Sequence, residues 1–321
     1  MKSIDELRTL VEQEVLSLKY PSKPADLYAP IDYILSLGGK RMRPILLLLS
    51  YQLYKKDIKL ALKPAIAIEV FHNFTLLHDD IMDKAPVRRG QSTVHTKWNE
   101  NVAILSGDAM LIQAYQYLSE LPKDSLMACL PVFNTMALKV CEGQQFDMDF
   151  EIQAEVDLES YLKMIEYKTA VLLGASLKMG AIIGGADAKD AENLYEFGRK
   201  IGIAFQLKDD LLDVFGDTDA FGKQLGGDII ANKKTCLYLK ALSLSEGDEK
   251  MELVNLYSSH SINQTEKVQK VKQLYTSLEI EVHINDLISE YYDDAMKSLN
   301  AIDKETLELE KFAALLKNRE S

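Results

Sequence analysis

An all-α fold is predicted for this chain, and three observations carry the prediction. Apolar residues recur at helical spacing along most of the 321 residues. No stretch alternates apolar and polar residues as a half-buried strand would. The glycines fall at helix ends or in a single loop. With no low-complexity tract and no break in composition, residues 1–321 are expected to form a single domain, a large helical bundle around a central cavity.

The elements follow in order. Leu7, Leu10, Val11, Val15 and Leu18 form one stripe, which Tyr20, Pro21 and Pro24 close. Pro30 suits the first position of a short helix through Leu37, and Gly38 and Gly39 terminate it. Pro44 then opens an apolar helix to residue 53. A long helix starts near residue 60, runs into an aspartate cluster and is ended by Pro86. Further helices are expected over 102–118 and 126–150. Asp157 is the expected N-cap of a helix that carries Tyr167-Lys168-Thr169 and ends at Gly184-Gly185. Another covers 188–215, a glycine-rich charged loop spans 216–234, and four helices bounded at Gly247, Ser261 and Asp303 complete the chain.

The bulk properties exclude several classes. A formal net charge of −12 argues against a nucleic-acid surface and against tethering to an anionic membrane. No apolar run approaches the roughly 20 residues that span a bilayer, and acids near Met1 argue against a signal peptide. Cys129, Cys141 and Cys236 are odd in number and lack C-x-x-C, so a reducing cytoplasm is expected.

The chemistry concentrates in two copies of one spacing. In Asp79-Asp80-x-x-Asp83 the first and last carboxylates share a helix face one turn apart. Carboxylates packed so closely repel one another, and a hard divalent cation with oxygen ligands removes that cost. Arg88 and Arg89 follow, and guanidinium groups grip phosphate oxygens in bidentate fashion. The spacing recurs in Asp209-Asp210-x-x-Asp213. One copy alone would read as a solvated helix end; two copies inside apolar helices suggest a magnesium-bound polyphosphate. The two aspartate helices, each about 25 residues and so roughly 37 Å long, could line a deep cavity.

Gly38-Gly39-Lys40-Arg41-Met42-Arg43 is a turn with three cations, a candidate second anion pocket. Glu69-x-x-His72 is half of a di-iron motif, but no second half exists, so His72 reads as a cavity wall or a satisfied core histidine. Residues 222–228 fail the P-loop spacing and fit a lid whose Lys223 and Lys233 reach phosphates. Lys168-Thr169, in an apolar helix, either snorkels or enters a polar cavity. No Ser-His-Asp or Cys-His arrangement is evident, so metal and substrate would supply the chemistry.

These residues together resemble the trans-isoprenyl diphosphate synthases, or polyprenyl synthetases. The likeness runs from Gly38 to Thr235 and rests on five motifs in order. They are Gly38 to Pro44, Asp79 to Gly90, Lys168-Thr169, Phe205 to Asp213, and Gly222-Lys223 with Lys233-Lys234-Thr235. The resemblance implies the isoprenoid synthase fold, usually as a homodimer, and condensation of isopentenyl diphosphate with an allylic diphosphate.

By position, the resemblance implies that Asp79, Asp83 and Asp209 ligate three Mg²⁺ ions. Asp80, Asp210 and Asp213 would complete the metal shell. Arg88, Lys168, Lys223 and Lys233 would hold the allylic diphosphate, with Thr169 and Gln206 beside the developing cation. Lys40, Arg43, His72 and Arg89 would bind isopentenyl diphosphate. In the resembled family the helix before the first cluster floors the product tunnel, which gives Phe71, Phe74 and Thr75 a role in chain length. No insertion interrupts Asp79-Asp80-x-x-Asp83, so a C20 product, geranylgeranyl diphosphate, is expected, with C15 farnesyl diphosphate as the alternative. A class I terpene cyclase, a catalytically silent subunit and a helical scaffold are the remaining alternatives. Each is disfavoured by the second aspartate motif and by the retained cations.

Overall fold

The structure is a computed structural model that describes residues 1–153, 155–216, 226–258 and 262–317. Contact density sorts the chain into two compact units. The first comprises Met1–Thr135, Ala175–Tyr195 and Ile302–Leu309, and the second Met136–Gly174, Glu196–Ala301 and Glu310–Ser321. The all-α expectation holds.

In the first unit Ile4–Ser17 starts on a capping box, the Ser3 hydroxyl accepting from Glu6 N–H while the Glu6 carboxylate accepts from Ser3 N–H. Ala25–Ser36 begins five residues before the expected Pro30 start. Pro24 occupies the N-cap, and Pro30 sits inside the helix. The burial of Ile31, Ile34 and Leu35 on one face offsets the backbone hydrogen bond that Pro30 cannot make. Met42–Gln52 and Lys59–Met82 form the buried centre, and Glu100–Ser119 packs along the latter. Lys59–Met82 is long and apolar enough to cross a membrane, and 61% of its apolar window is buried inside the protein. Lys63, Glu69 and His72 interrupt that run in the sequence. In the fold Glu69 is neutralised by Arg41, whose Nη1 stands 2.7 Å from Oε1.

Several short elements form that the sequence does not predict, among them the four-residue helix Gly227–Ile230 within the expected loop. Val87–Arg88 and Gln91–Ser92 pair as a two-residue antiparallel ribbon, Arg88 opposite Gln91. Arg89 and Gly90, with φ of 52° and 74°, are the two positive-φ residues that a type I′ hairpin turn requires. The ribbon is too short for an alternating pattern to register. A four-residue helix, Val94–Lys97, follows it.

In the second unit the long helix Lys123–Ile152, whose first residues belong to the first unit, leads to Leu158–Ile165. Asp157 caps the latter as expected, its Oδ1 2.6 Å from Ser160 N. The predicted single helix to Gly184 is instead three pieces: Leu158–Ile165, a π turn over Glu166–Ala170, and Val171–Gly184. Ala188–Phe215 matches the prediction. Cys236–Leu244, Gly247–Ser258, Gln264–Ser277, Ile280–Asn300 and Leu307–Lys317 follow, five helices among the described residues where four were expected. The extra break falls at Glu279, held at φ 52°, where neither glycine nor proline signals it. Leu207, Cys236, Val271, Tyr275 and Ile280 are fully buried at the centre of this unit.

Candidate active site

In the first unit, Lys59–Met82 carries Glu69, His72, Asp79 and Asp80 along about three turns. Asp80 is buried, and Arg88 on the ribbon chelates it: Nε donates to both carboxylate oxygens at 2.8 Å and Nη2 lies 2.7 Å from Oδ1. The same Nη2 is 3.8 Å from Asp79 Oδ2. Burial alone would lower the Arg88 pKa, but the bond to Asp80 and the charges of Asp80, Asp79 and Asp83 raise it. Asp83, the helix C-cap, is exposed.

The cations before Pro44 divide their work. Arg41 is buried against Glu12 and Glu69 and donates to the Leu35 carbonyl, so it braces the fold. Arg43 Nη1 lies 3.0 Å from His72 Nε2, and its buried Nε has no hydrogen-bond partner among the described residues. Burial lowers the Arg43 pKa to about 10, and Arg89 adds to the shift while Glu69 opposes it. Burial, followed by the charges of Arg43, Arg89, Arg88 and Arg41, holds His72 well below its ordinary range, so the imidazole is neutral. Arg89 donates from Nη1 to the Gly38 carbonyl. Its guanidinium lies across Gly39, where a Cβ would meet Nη2 at 2.8 Å; φ is 142° there and 74° at Gly38. The paired glycines therefore serve both the turn and the arginine above it. Arg43, His72 and Arg89 thus come together, while Lys40 is exposed on the turn.

Phe71 and Phe74 point into an aromatic cluster, 5.6 Å apart between ring centroids, with Phe133 5.3 Å from Phe71. Thr75 is half-buried and its hydroxyl donates to the His72 carbonyl.

The second unit contains a cavity of about 530 Å³. Lys168, Thr169, Gln206, Asp210, Asp228 and Lys233 are among the residues that line it. Lys168 Nζ is 2.6 Å from Asp147 Oδ2, and Lys233 Nζ is 3.9 Å from Asp228 Oδ1. Thr169 Oγ1 donates to Gln206 Oε1 at 3.4 Å, and Gln206 Nε2 donates to Asp210 Oδ1 at 3.3 Å. The Tyr161 hydroxyl donates to Asp210 Oδ2. Burial lifts the Asp210 pKa to about 7, with Asp228 adding to the rise while Tyr161, Cys236 and Gln206 oppose it. Asp213 Oδ2 accepts from Asp228 N–H at 3.0 Å, and Asp209 is half-buried on the same helix. Lys223 lies outside the described residues.

Residues 24–278 match the family model described as polyprenyl synthetase. The geranylgeranyl diphosphate synthase of Methanosarcina mazei is 39% identical over 246 residues, 75% of this chain and 76% of that protein. A crystal structure of a geranylgeranyl pyrophosphate synthase superposes with a TM-score of 0.95 at 45% identity, covering 100% of both chains. The geranylgeranyl pyrophosphate synthetase of Pyrococcus horikoshii Ot3 superposes with a TM-score of 0.92 at 32% identity, over 99% of this chain and 97% of that one. This chain belongs to the polyprenyl synthetase family.

Membership sets aside the terpene cyclase and scaffold readings, and the family is generally magnesium-dependent. The sequence reading of this polyprenyl synthetase missed Tyr161, Asp147, Asp228 and Cys236. Asp147 lies one turn after Gly143 on a helix that also carries Glu142, Asp149 and Glu151, and nothing in the sequence singles it out among them. Tyr161 and Cys236, which join the local Gln206 in donating to Asp210, come from segments far from it in sequence, so no local pattern announces them.

Proposed function

We propose that this chain is a short-chain trans-prenyltransferase that condenses isopentenyl diphosphate with allylic diphosphates to give geranylgeranyl diphosphate. One observation carries the reading. Lys168, Thr169, Gln206 and the Asp210 of the second aspartate motif open on one cavity in a polyprenyl synthetase. Relatives named geranylgeranyl diphosphate synthase support the C20 product. The family match takes in residues of both units, which supports one polyprenyl synthetase domain over 1–321.

The donor set fits magnesium. Asp79, Asp83 and Asp209 offer hard oxygen ligands, and Asp80 is already neutralised by Arg88. Among the described residues no three carboxylate, imidazole or thiol groups form a metal-binding group. Mg²⁺ takes one or two carboxylates and completes its octahedron with water and substrate phosphate oxygens, so pairs of aspartates suffice. We assign three ions to Asp79, Asp83 and Asp209, with Asp80, Asp210 and Asp213 as supporting carboxylates. When bound, Mg²⁺ neutralises the charge that builds on the diphosphate as the allylic C–O bond breaks.

The chain's own residues do the rest. Lys168, Lys233, Arg88 and Lys223 hold the allylic diphosphate, and their charges count for more in the transition state than in the ground state. Thr169 and Gln206 direct oxygens at the carbon that loses the leaving group. Lys40, Arg43, Arg89 and neutral His72 hold isopentenyl diphosphate; the buried Arg43 Nε, without a partner among the described residues, supports this. The proton lost after the new C–C bond forms goes to the diphosphate that the lysines retain. Phe71, Phe74 and Thr75 limit product length, in line with the aromatic cluster that Phe71 and Phe74 join. The enzyme is proposed to be a cytoplasmic homodimer. Ile104, Leu105 and Ile112, exposed on Glu100–Ser119, support an interface, and three free cysteines support the compartment.

The test incubates purified protein with isopentenyl diphosphate, each allylic primer and Mg²⁺, then sizes the products by chromatography. A C20 alcohol after phosphatase treatment is expected. A C15 product moves the assignment to farnesyl diphosphate synthase, and no product with any primer leaves a silent subunit.

A further inference from the structure

Lys168 and Thr169 do not ride on an ordinary helix. They sit in the π turn Glu166–Ala170, where Val171 N–H reaches back five residues to the Glu166 carbonyl. A π turn fits one extra residue into a helix and is rare, so a specific environment has to hold it.

Two helix stripes provide that environment. On Lys123–Ile152, a Cβ at Gly143 would stand 2.2 Å from Lys168 N and 2.7 Å from Lys168 Cα. One turn on, Asp147 pairs with Lys168 Nζ, and one turn back, Lys139 Nζ lies 5.0 Å from the Tyr167 ring centroid. On Ala188–Phe215, Arg199 Nη1 is 3.0 Å from Glu166 Oε2, and Gln206 accepts from Thr169. Between them, a Cβ at Gly202 would stand 2.6 Å from Ala170 Cα and 2.7 Å from its Cβ. Positions 139, 143 and 147 on one helix, and 199, 202 and 206 on the other, therefore close on the turn from two sides.

We infer that Gly143 and Gly202 are positioning residues for the prenyl transfer. Their missing side chains let two helices approach the backbone of the π turn, and that approach fixes where Lys168 and Thr169 point. A methyl at either position meets backbone, which has no rotamer to move aside. The inference rests on the reading of Lys168 as a diphosphate-holding residue.

Steady-state kinetics on Gly143→Ala, Gly202→Ala, Gly180→Ala and Lys168→Ala test it, with circular dichroism and thermal melts on each. Gly180 is the control, since a Cβ there would stand 2.1 Å from the Leu47 carbonyl oxygen, away from the π turn. Gly143→Ala and Gly202→Ala are expected to lower kcat by about tenfold or more, because a shift of about 1 Å at reacting groups is that costly. The KM for isopentenyl diphosphate should stay within about twofold, as for an interaction made at the transition state. Gly180→Ala should lose stability and keep its kcat per folded molecule. If both glycine variants fold and match the control, or if their isopentenyl KM rises in step with the fall in kcat, the inference is overturned. Full activity in Lys168→Ala would instead overturn the reading of Lys168 itself. Should the glycine variants fail to fold, Arg199→Gln decides: it loosens the start of the turn at a partly exposed side chain, and an unchanged kcat overturns the inference.

Discussion

Arg88 and Asp80 illustrate how one pair can serve both stability and chemistry. Asp80 is 3% exposed at its side chain and Arg88 25%, so removing the arginine strands a buried carboxylate. Arg88→Gln is expected to cost about 3 kcal/mol, the low end for breaking a buried pair, because Arg88 keeps some solvent. Chemical denaturation measures the loss, and adding Asp80→Asn should restore most of it. Turnover is a separate matter. Asp79→Ala and Asp209→Ala should each lower kcat by orders of magnitude with an unchanged circular dichroism spectrum. Near-normal activity in either variant would sink the metal assignment. The aspartates and arginines were visible in the sequence because their spacing is regular. The separation of Arg41 from Arg43 was not, since it depends on Glu12 and Glu69, distant in sequence, surrounding Arg41.

At the scale of elements, the helices that periodicity predicts are the ones that form, and the departures share a cause. The ribbon at Val87–Arg88, the π turn at Glu166–Ala170 and the break at Glu279 are all too short for a window of apolar residues to register. Glu279 holds a left-handed conformation that costs a side-chain-bearing residue about 1–2 kcal/mol, partly offset by the entropy that a glycine would lose. Glu279→Gly should therefore stabilise the enzyme by about 0.5–1 kcal/mol, a gain of about 1–2 °C in the melting temperature. A lower melting temperature would show that the Glu279 side chain contributes more than its backbone costs. Phe74, 8% exposed and in edge-to-face contact with His78 as well as near Phe71, is the ring to remove when testing the tunnel floor. Phe74→Ala should shift products beyond C20 by chromatography, and an unchanged profile would refute the role.

For the whole molecule, the expectations concern metal and assembly. EDTA should abolish activity and excess Mg²⁺ restore it; activity that survives chelation would remove the metal from the mechanism. Light scattering should give twice the 36.2 kDa chain mass, and Ile112→Lys should shift it toward the monomer. The sequence by itself determined the helical class, the two aspartate motifs and most of the residues assigned to phosphates. Period and spacing are local properties, and they survive in one dimension. Only the tertiary structure decided which cation is structural, which donors hold Asp210, and why Lys168 and Thr169 occupy a π turn. Those outcomes depend on buried partners and on backbone approaches at Gly143 and Gly202, and no local pattern encodes a distance between residues far apart in the chain.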